Sequence, residues 1–312
     1  MTAPFDRVVV VDWSAASTPK RGRDSIWVAE RDASTGEVRT SNPPTRAVAL
    51  ERLRAIACAP GRALIGVDAC LGYPAGTAAA LGLRPGPSGS PWSATWALLA
   101  AELTDGPDNA NDRFEVAAAL NERIGPGPGP FWGCTPRRAG PHLTATKVPS
   151  DPLPEWRAVE RELRTRGRRP FSCWQLLGAG AVGSQSLLAI AALHRLRDDV
   201  AATSGRAVDV WPLSTGLVVP GAPVVLAEVW PSLVPPDDDH ADGRHLDGRH
   251  ADGRGRDEPV RDERVRDEAQ VEALSAHLVA LQRDGALGAA FSPDVGGAER
   301  AVVAEEGWVL GV

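Results

Sequence analysis

The chain has 312 residues, 43% of them hydrophobic and 24% charged, and a formal net charge of −6. That length buries a substantial core as one large domain or a domain with an insertion, and the acidic balance argues against a protein that coats nucleic acid non-specifically. Four dispersed cysteines without a CxxC pair, a first apolar run too short for a signal-peptide core and no stretch approaching the roughly 20 apolar residues of a bilayer span set the expectation of a cytoplasmic protein with reduced thiols and no membrane partner.

The first element is an apolar strand over residues 7–13, Arg-Val-Val-Val-Val-Asp-Trp, whose β-branched run ends in the carboxylate of Asp12. The turn Pro19-Lys20-Arg21-Gly22 and the run Asp24–Glu30 predict a hairpin, with Trp13 and Trp27 facing each other across it. A third strand around Val38–Thr40 follows, then a helix over Arg46–Ala57 that ends before Ala59-Pro60-Gly61. Ala63–Asp68 repeats the first pattern, a short apolar strand closed by an aspartate. Three antiparallel strands, a helix and a parallel return strand make an α/β opening.

Residues 85–170 read as a helical, Pro/Gly-rich insertion, with helices over 92–103, 113–123 and 154–166 and an extended connector at Gly125–Pro130. Gly183–Arg197 predicts an apolar helix, and strands follow at Val208–Leu213 and Val224–Trp230. Between 237 and 266 the composition changes to three tandem pentapeptides of the form His-x-Asp-Gly-Arg and a repetitive charged run, which predicts a disordered surface loop. A helix from Asp267 to about Arg283 presents Val271, Leu274, Leu278 and Leu281 on one face, and Ala304–Leu310 reads as a final strand.

The carboxylates carry the chemistry. Adjacent strands lie about 4.8 Å apart, so acids ending two neighbouring strands are placed to share a divalent cation. Metal-assisted phosphodiester cleavage needs three or four acids converging from several strands and a helix, holding two cations about 3.5–4 Å apart. The candidates are Asp12, Asp68, Glu228 and Asp267 or Glu268, with Mg²⁺ or Mn²⁺ as the ion.

The segments Val11-Asp12-Trp13-Ser14, Gly66-Val67-Asp68-Ala69-Cys70-Leu71-Gly72-Tyr73-Pro74, Glu228-Val229-Trp230-Pro231 and Asp267-Glu268-Ala269-Gln270 occur in that order. The pattern resembles a bacterial family of unknown function described as predicted RNase H-like nucleases. The resemblance implies one RNase H-like mixed sheet with flanking helices across the whole chain. In Holliday-junction resolvases and their relatives, acids sit on strand one, strand four and the last helix. Carried over by position they become Asp12, Asp68 and Asp267, with Glu228 as a fourth. The expected substrate is a nucleic acid or another phosphate-containing molecule, with Arg137 and Arg138 as phosphate contacts.

Two other classes compete. Asp12-x-Ser14 followed by a hairpin also looks like the first phosphate loop of sugar-kinase and actin-like ATPases, with Ser14 at the phosphates, and such a phosphotransferase needs a second domain of the same kind. A catalytically silent accessory protein would keep the fold and lack the metal. Two further patterns have structural readings. Gly178-Ala179-Gly180-Ala181-Val182-Gly183 fits GxGxxG but is expected to be a glycine-rich turn into a packed helix, and the arginines between 157 and 169 read as a solvated helix face.

Overall fold

A computed structural model describes residues 3–84, 89–148, 153–178, 180–234 and 261–312, with side chains described from Arg266 in the last segment. The chain opens with β1 (Arg7–Asp12), β2 (Trp27–Asp32) and β3 (Val38–Ser41), then α1 (Arg46–Cys58) and β4 (Ala63–Asp68). Helices α2 (Thr77–Ala80), α3 (Pro91–Glu102), α4 (Arg113–Ile124), α5 (Ala158–Thr165) and α6 (Gly183–Ser204) precede β5 (Val208–Trp211) and β6 (Val224–Glu228). After residues 235–260 come α7 (Arg261–Arg283), α8 (Leu287–Ala290) and α9 (Gly297–Glu306).

The six strands form one mixed sheet in the order β3-β2-β1-β4-β6-β5. β1, β2 and β3 are antiparallel neighbours, whereas β1, β4, β6 and β5 run parallel. The parallel set therefore delivers the carboxyl ends of four strands to one edge, where open α/β sheets place their ligand sites. The second domain required by the phosphotransferase alternative has no counterpart among the described residues, which contain this one sheet.

Both faces are covered, which is why the central strands read as unbroken apolar runs. Val9, Val11, Ile65, Val67 and Leu226 pack under α1, α3 and α6. Val8, Val10, Leu64, Val225 and Ala227 share the other core with Val271, Leu274 and Leu278 of α7. Local chemistry marks the ends. Thr45 caps α1 by accepting from the Val48 amide at 3.3 Å, and Gly205 closes α6 at φ +65°.

Four expectations need correction. The second strand begins at Trp27 instead of Asp24, because Asp24 turns through a positive φ of 50° before pairing starts. Trp27 is then the register partner of Asp12, so alternation puts Trp13 in the α6 core and Trp27 in the α7 core, on opposite faces. The final segment is helical to Glu306. Gly307 then turns the chain, and Val309 makes an isolated bridge to Glu228 in place of a strand. The expected loop over 237–266 lies outside the described residues as far as position 260, and the chain is helical from Arg261.

Candidate metal centre at the carboxyl ends of the central strands

Asp12 and Asp68 end β1 and β4 as direct register partners. Partners in a parallel pair share a face, so both carboxylates project to the side covered by α7, a helix packed on β1 and β2. Asp267 lies in α7, and its Oδ2 accepts the Asp24 backbone N–H at 3.1 Å. The β1–β2 hairpin is thereby tied to the helix at the mouth of the site.

The oxygens of Asp12, Asp68 and Asp267 do not all lie within 4.8 Å of one another, but the charges act on one another across the site. Burial first, and then the charges of Asp68, Asp267 and Asp24, hold the Asp12 carboxyl well above the usual carboxylate range. Asp68 is pushed up to about 7 by burial and then by the charge of Glu228. Asp267 is raised, chiefly by burial, with Asp24 adding a like charge while its amide hydrogen bond acts the other way. No Lys or Arg among the described residues forms an ion pair with Asp12 or Asp68. Like charges crowd together at Asp12 and Asp68, while Arg266 and Arg23 act on Asp267 from the rim.

Glu228 is placed differently. It pairs with Val67, one residue out of phase with Asp68, and strand alternation turns its side chain off the line of Asp12 and Asp68. Both its oxygens meet the buried Arg157 guanidinium, Nη1 to Oε2 at 2.7 Å and Nη2 to Oε1 at 2.6 Å, and Oε2 also accepts the Leu71 amide at 3.0 Å. Arg157 reaches Glu160 as well, with Nε to Oε1 at 2.8 Å and Nη2 to Oε1 at 2.5 Å. Among the described residues, the one trio of ligand-type atoms mutually within 4.8 Å is Cys70, Glu160 and Glu228. Arg157 already supplies the cation for that trio, and burial pushes the Cys70 thiol up, away from the thiolate a metal needs.

The remaining expected contacts lie elsewhere. Ser14 is buried, donates to Asp24 O at 3.2 Å and accepts from the Ala16 amide, so it shapes the hairpin loop. Arg138 pairs with Glu115 and lies over the Phe114 ring, while Arg137 is exposed beside it, and neither hydrogen-bonds to the acids. Exposed cations do stand near Asp267. Lys20 Nζ and Arg23 Nε lie 3.6 and 3.2 Å from Asp24 Oδ2, and Arg21 donates to Asn42 O. The hairpin turn thus sets a basic rim of Lys20 and Arg23 beside Asp24, whose amide is held by Asp267.

Sequence reasoning missed the roles of Arg157 and Glu160. Arg157 belongs to an arginine-rich run that reads as a solvated face. The signal was local: Glu160 stands three residues on and accepts the Arg157 amide at 2.8 Å, a capping arrangement that marks a helix start. The GxGxxG run serves packing, since a Cβ on Gly183 would come within 2.5 Å of Cys173 O. No family model matches the sequence, and neither a curated protein nor a solved structure matches the chain.

Proposed function

We propose that the chain is a divalent-metal-dependent phosphoesterase of RNase H-like architecture, acting as a nuclease, with Asp12, Asp68 and Asp267 as the ligands of Mg²⁺ or Mn²⁺. The observation that carries this reading is the register pairing of Asp12 with Asp68 at the carboxyl ends of the central parallel strands, with no protein cation opposite them. The order β3-β2-β1-β4, antiparallel and then parallel, supports the RNase H-like assignment.

The donor set fits a hard cation, being carboxylate oxygen throughout. Two cations about 3.5–4 Å apart do not require all ligand oxygens to lie close together, so the wider spread of Asp12, Asp68 and Asp267 is compatible with the reading. When bound, the metal would supply Lewis acidity at the phosphate and a more acidic water. The chain itself contributes three things. Asp12 and Asp68 present oxygens on one sheet face, α7 brings Asp267 over them, and Arg157 keeps Glu228 fixed behind Asp68. Lys20 and Arg21 on the hairpin attract the phosphate backbone. Glu228 takes a positioning role in place of ligation.

A second reading, the catalytically silent accessory protein, is favoured by that same spread of the three aspartates. A cleavage screen separates the two. Labelled single-stranded, duplex and branched DNA and RNA are incubated with Mn²⁺ and wild type or Asp12→Asn. Mn²⁺-dependent cleavage lost in Asp12→Asn supports the nuclease. Oligonucleotide binding with no cleavage of any substrate supports the accessory role.

A further inference from the structure

Asp68 also lines a second feature. A cleft of about 70 Å³ opens beside it, walled by Leu163, Pro170, Phe171, Val182 and Trp230. Phe171 is 43% exposed and stacks on no other aromatic side chain among the described residues, and Trp230, half-buried against the α7-side core, stacks on none either. By contrast Tyr73, Phe131 and Trp174 satisfy one another nearby, with centroids 4.8–5.7 Å apart. The backbone is built to hold Phe171 where it is: a Cβ on Gly180 would lie 2.1 Å from its ring, so the glycine-rich turn before α6 doubles as a platform for this aromatic.

We infer that this cleft seats one unpaired nucleobase of the substrate strand, next to the phosphate held at Asp12 and Asp68. The inference rests on the nuclease reading above. Its walls are apolar and aromatic, which suits a flat ring with a π face. Its polar end is formed by Asp68 and the Cys70 thiol, with Glu160 and Glu228 already held by Arg157. That end repels a phosphate, so the phosphate stays at the metal side and the base turns into the cleft. A volume of about 70 Å³ is below the roughly 150 Å³ that encloses a benzene, so the cleft takes only the edge of one ring and the face of the base lies on Phe171 at its open mouth. A base stacked inside a duplex has both faces covered, so the substrate is a single strand or an unpaired segment of a larger structure.

The test uses the full chain, Ca²⁺ in place of the catalytic ion, and short single-stranded DNA carrying one 2-aminopurine at successive positions. Seating quenches the fluorescence at one position only. Phe171→Ala and Trp230→Ala relieve that quenching and weaken binding by about fivefold to a hundredfold, the range expected for one lost base–aromatic stack. Mn²⁺ binding by calorimetry stays unchanged in both variants, which shows that they fold and retain the acidic site. Equal quenching of free 2-aminopurine nucleoside monophosphate overturns the assignment to a base of a strand. Quenching that is uniform along the strand, or unaffected by both substitutions, overturns the seat while intact Mn²⁺ binding leaves the metal reading standing. Absence of both Mn²⁺ and oligonucleotide binding in wild type overturns both.

Discussion

Asp12 and Asp68 are register partners at the ends of neighbouring parallel strands, where burial and the charge of Asp68 raise the cost of ionising Asp12, and burial and the charge of Glu228 that of ionising Asp68. Such a pair is built at the expense of stability. The folded chain holds a proton on Asp68 up to about pH 7, whereas an unfolded aspartate releases it near 3.8. The native state therefore binds more protons across that window, and stability falls as pH rises through it.

Asp68→Asn cannot ionise and escapes this loss. At about pH 8 it is expected to be more stable than wild type by about 1–3 kcal/mol in denaturant titrations, and the gain is expected to shrink towards pH 4. A variant less stable than wild type at pH 8, or a gain independent of pH, contradicts the crowding of charge around Asp68.

Arg157 gives the opposite case. It is fully buried between Glu160 and Glu228 and also donates to Glu306 O at 2.9 Å. Arg157→Met leaves two buried carboxylates without their cation and is expected to cost about 3–5 kcal/mol by chemical denaturation. Arg164, from the same run, is exposed and lies 4.5 Å from the Trp156 ring, so Arg164→Ala is expected to cost no more than about 1 kcal/mol. Equal losses would mean that Arg157 is not the hub of the network.

This contrast shows what the sequence can carry. The ends of β1 and β4 are legible because a β-branched run closed by an acid is a local pattern, and parallel pairing follows from the helix between them. The α7 face is legible in the spacing of Val271, Leu274 and Leu278. The pairing of Arg157 with Glu228 spans 71 residues and leaves no periodic mark, so one arginine of six looks like the others. The phase of Glu228 is equally hidden, since a one-residue register difference decides whether a strand-end acid joins Asp68 or turns away. At the C-terminus, Val302, Val303 and Trp308–Leu310 give a strand-like composition, and Gly307 after Glu305-Glu306 is the stop signal that identifies the helix.

Glycine 72 tests how the site loop is docked. A Cβ there would lie 2.4 Å from Glu306 O and 2.5 Å from its carbonyl carbon, and backbone does not yield as a side-chain tip does. Gly72→Ala is expected to cost about 1–3 kcal/mol in thermal or denaturant unfolding. Gly127, with open space around it, is expected to tolerate alanine within about 0.5 kcal/mol. A neutral Gly72→Ala would place α9 farther from the 71–74 loop than described.

The basic rim makes a prediction about salt. If Lys20 and Arg21 each contact a phosphate, the double change to glutamine is expected to reduce the slope of log affinity against log salt by about 1.4 for single strands. The same change at Arg137 and Arg138 is expected to leave the slope unaltered. Fluorescence anisotropy over a salt series reads both, and the reverse ranking would return the substrate path to the 136–138 turn.

The central claim is that Asp12 and Asp68 hold one metal centre between them. Calorimetric titration of Mn²⁺ into wild type, Asp12→Asn and Asp68→Asn tests it most directly. Saturable binding by wild type that either substitution abolishes is the expected result. Absence of binding by wild type, or binding that survives both substitutions, would contradict it.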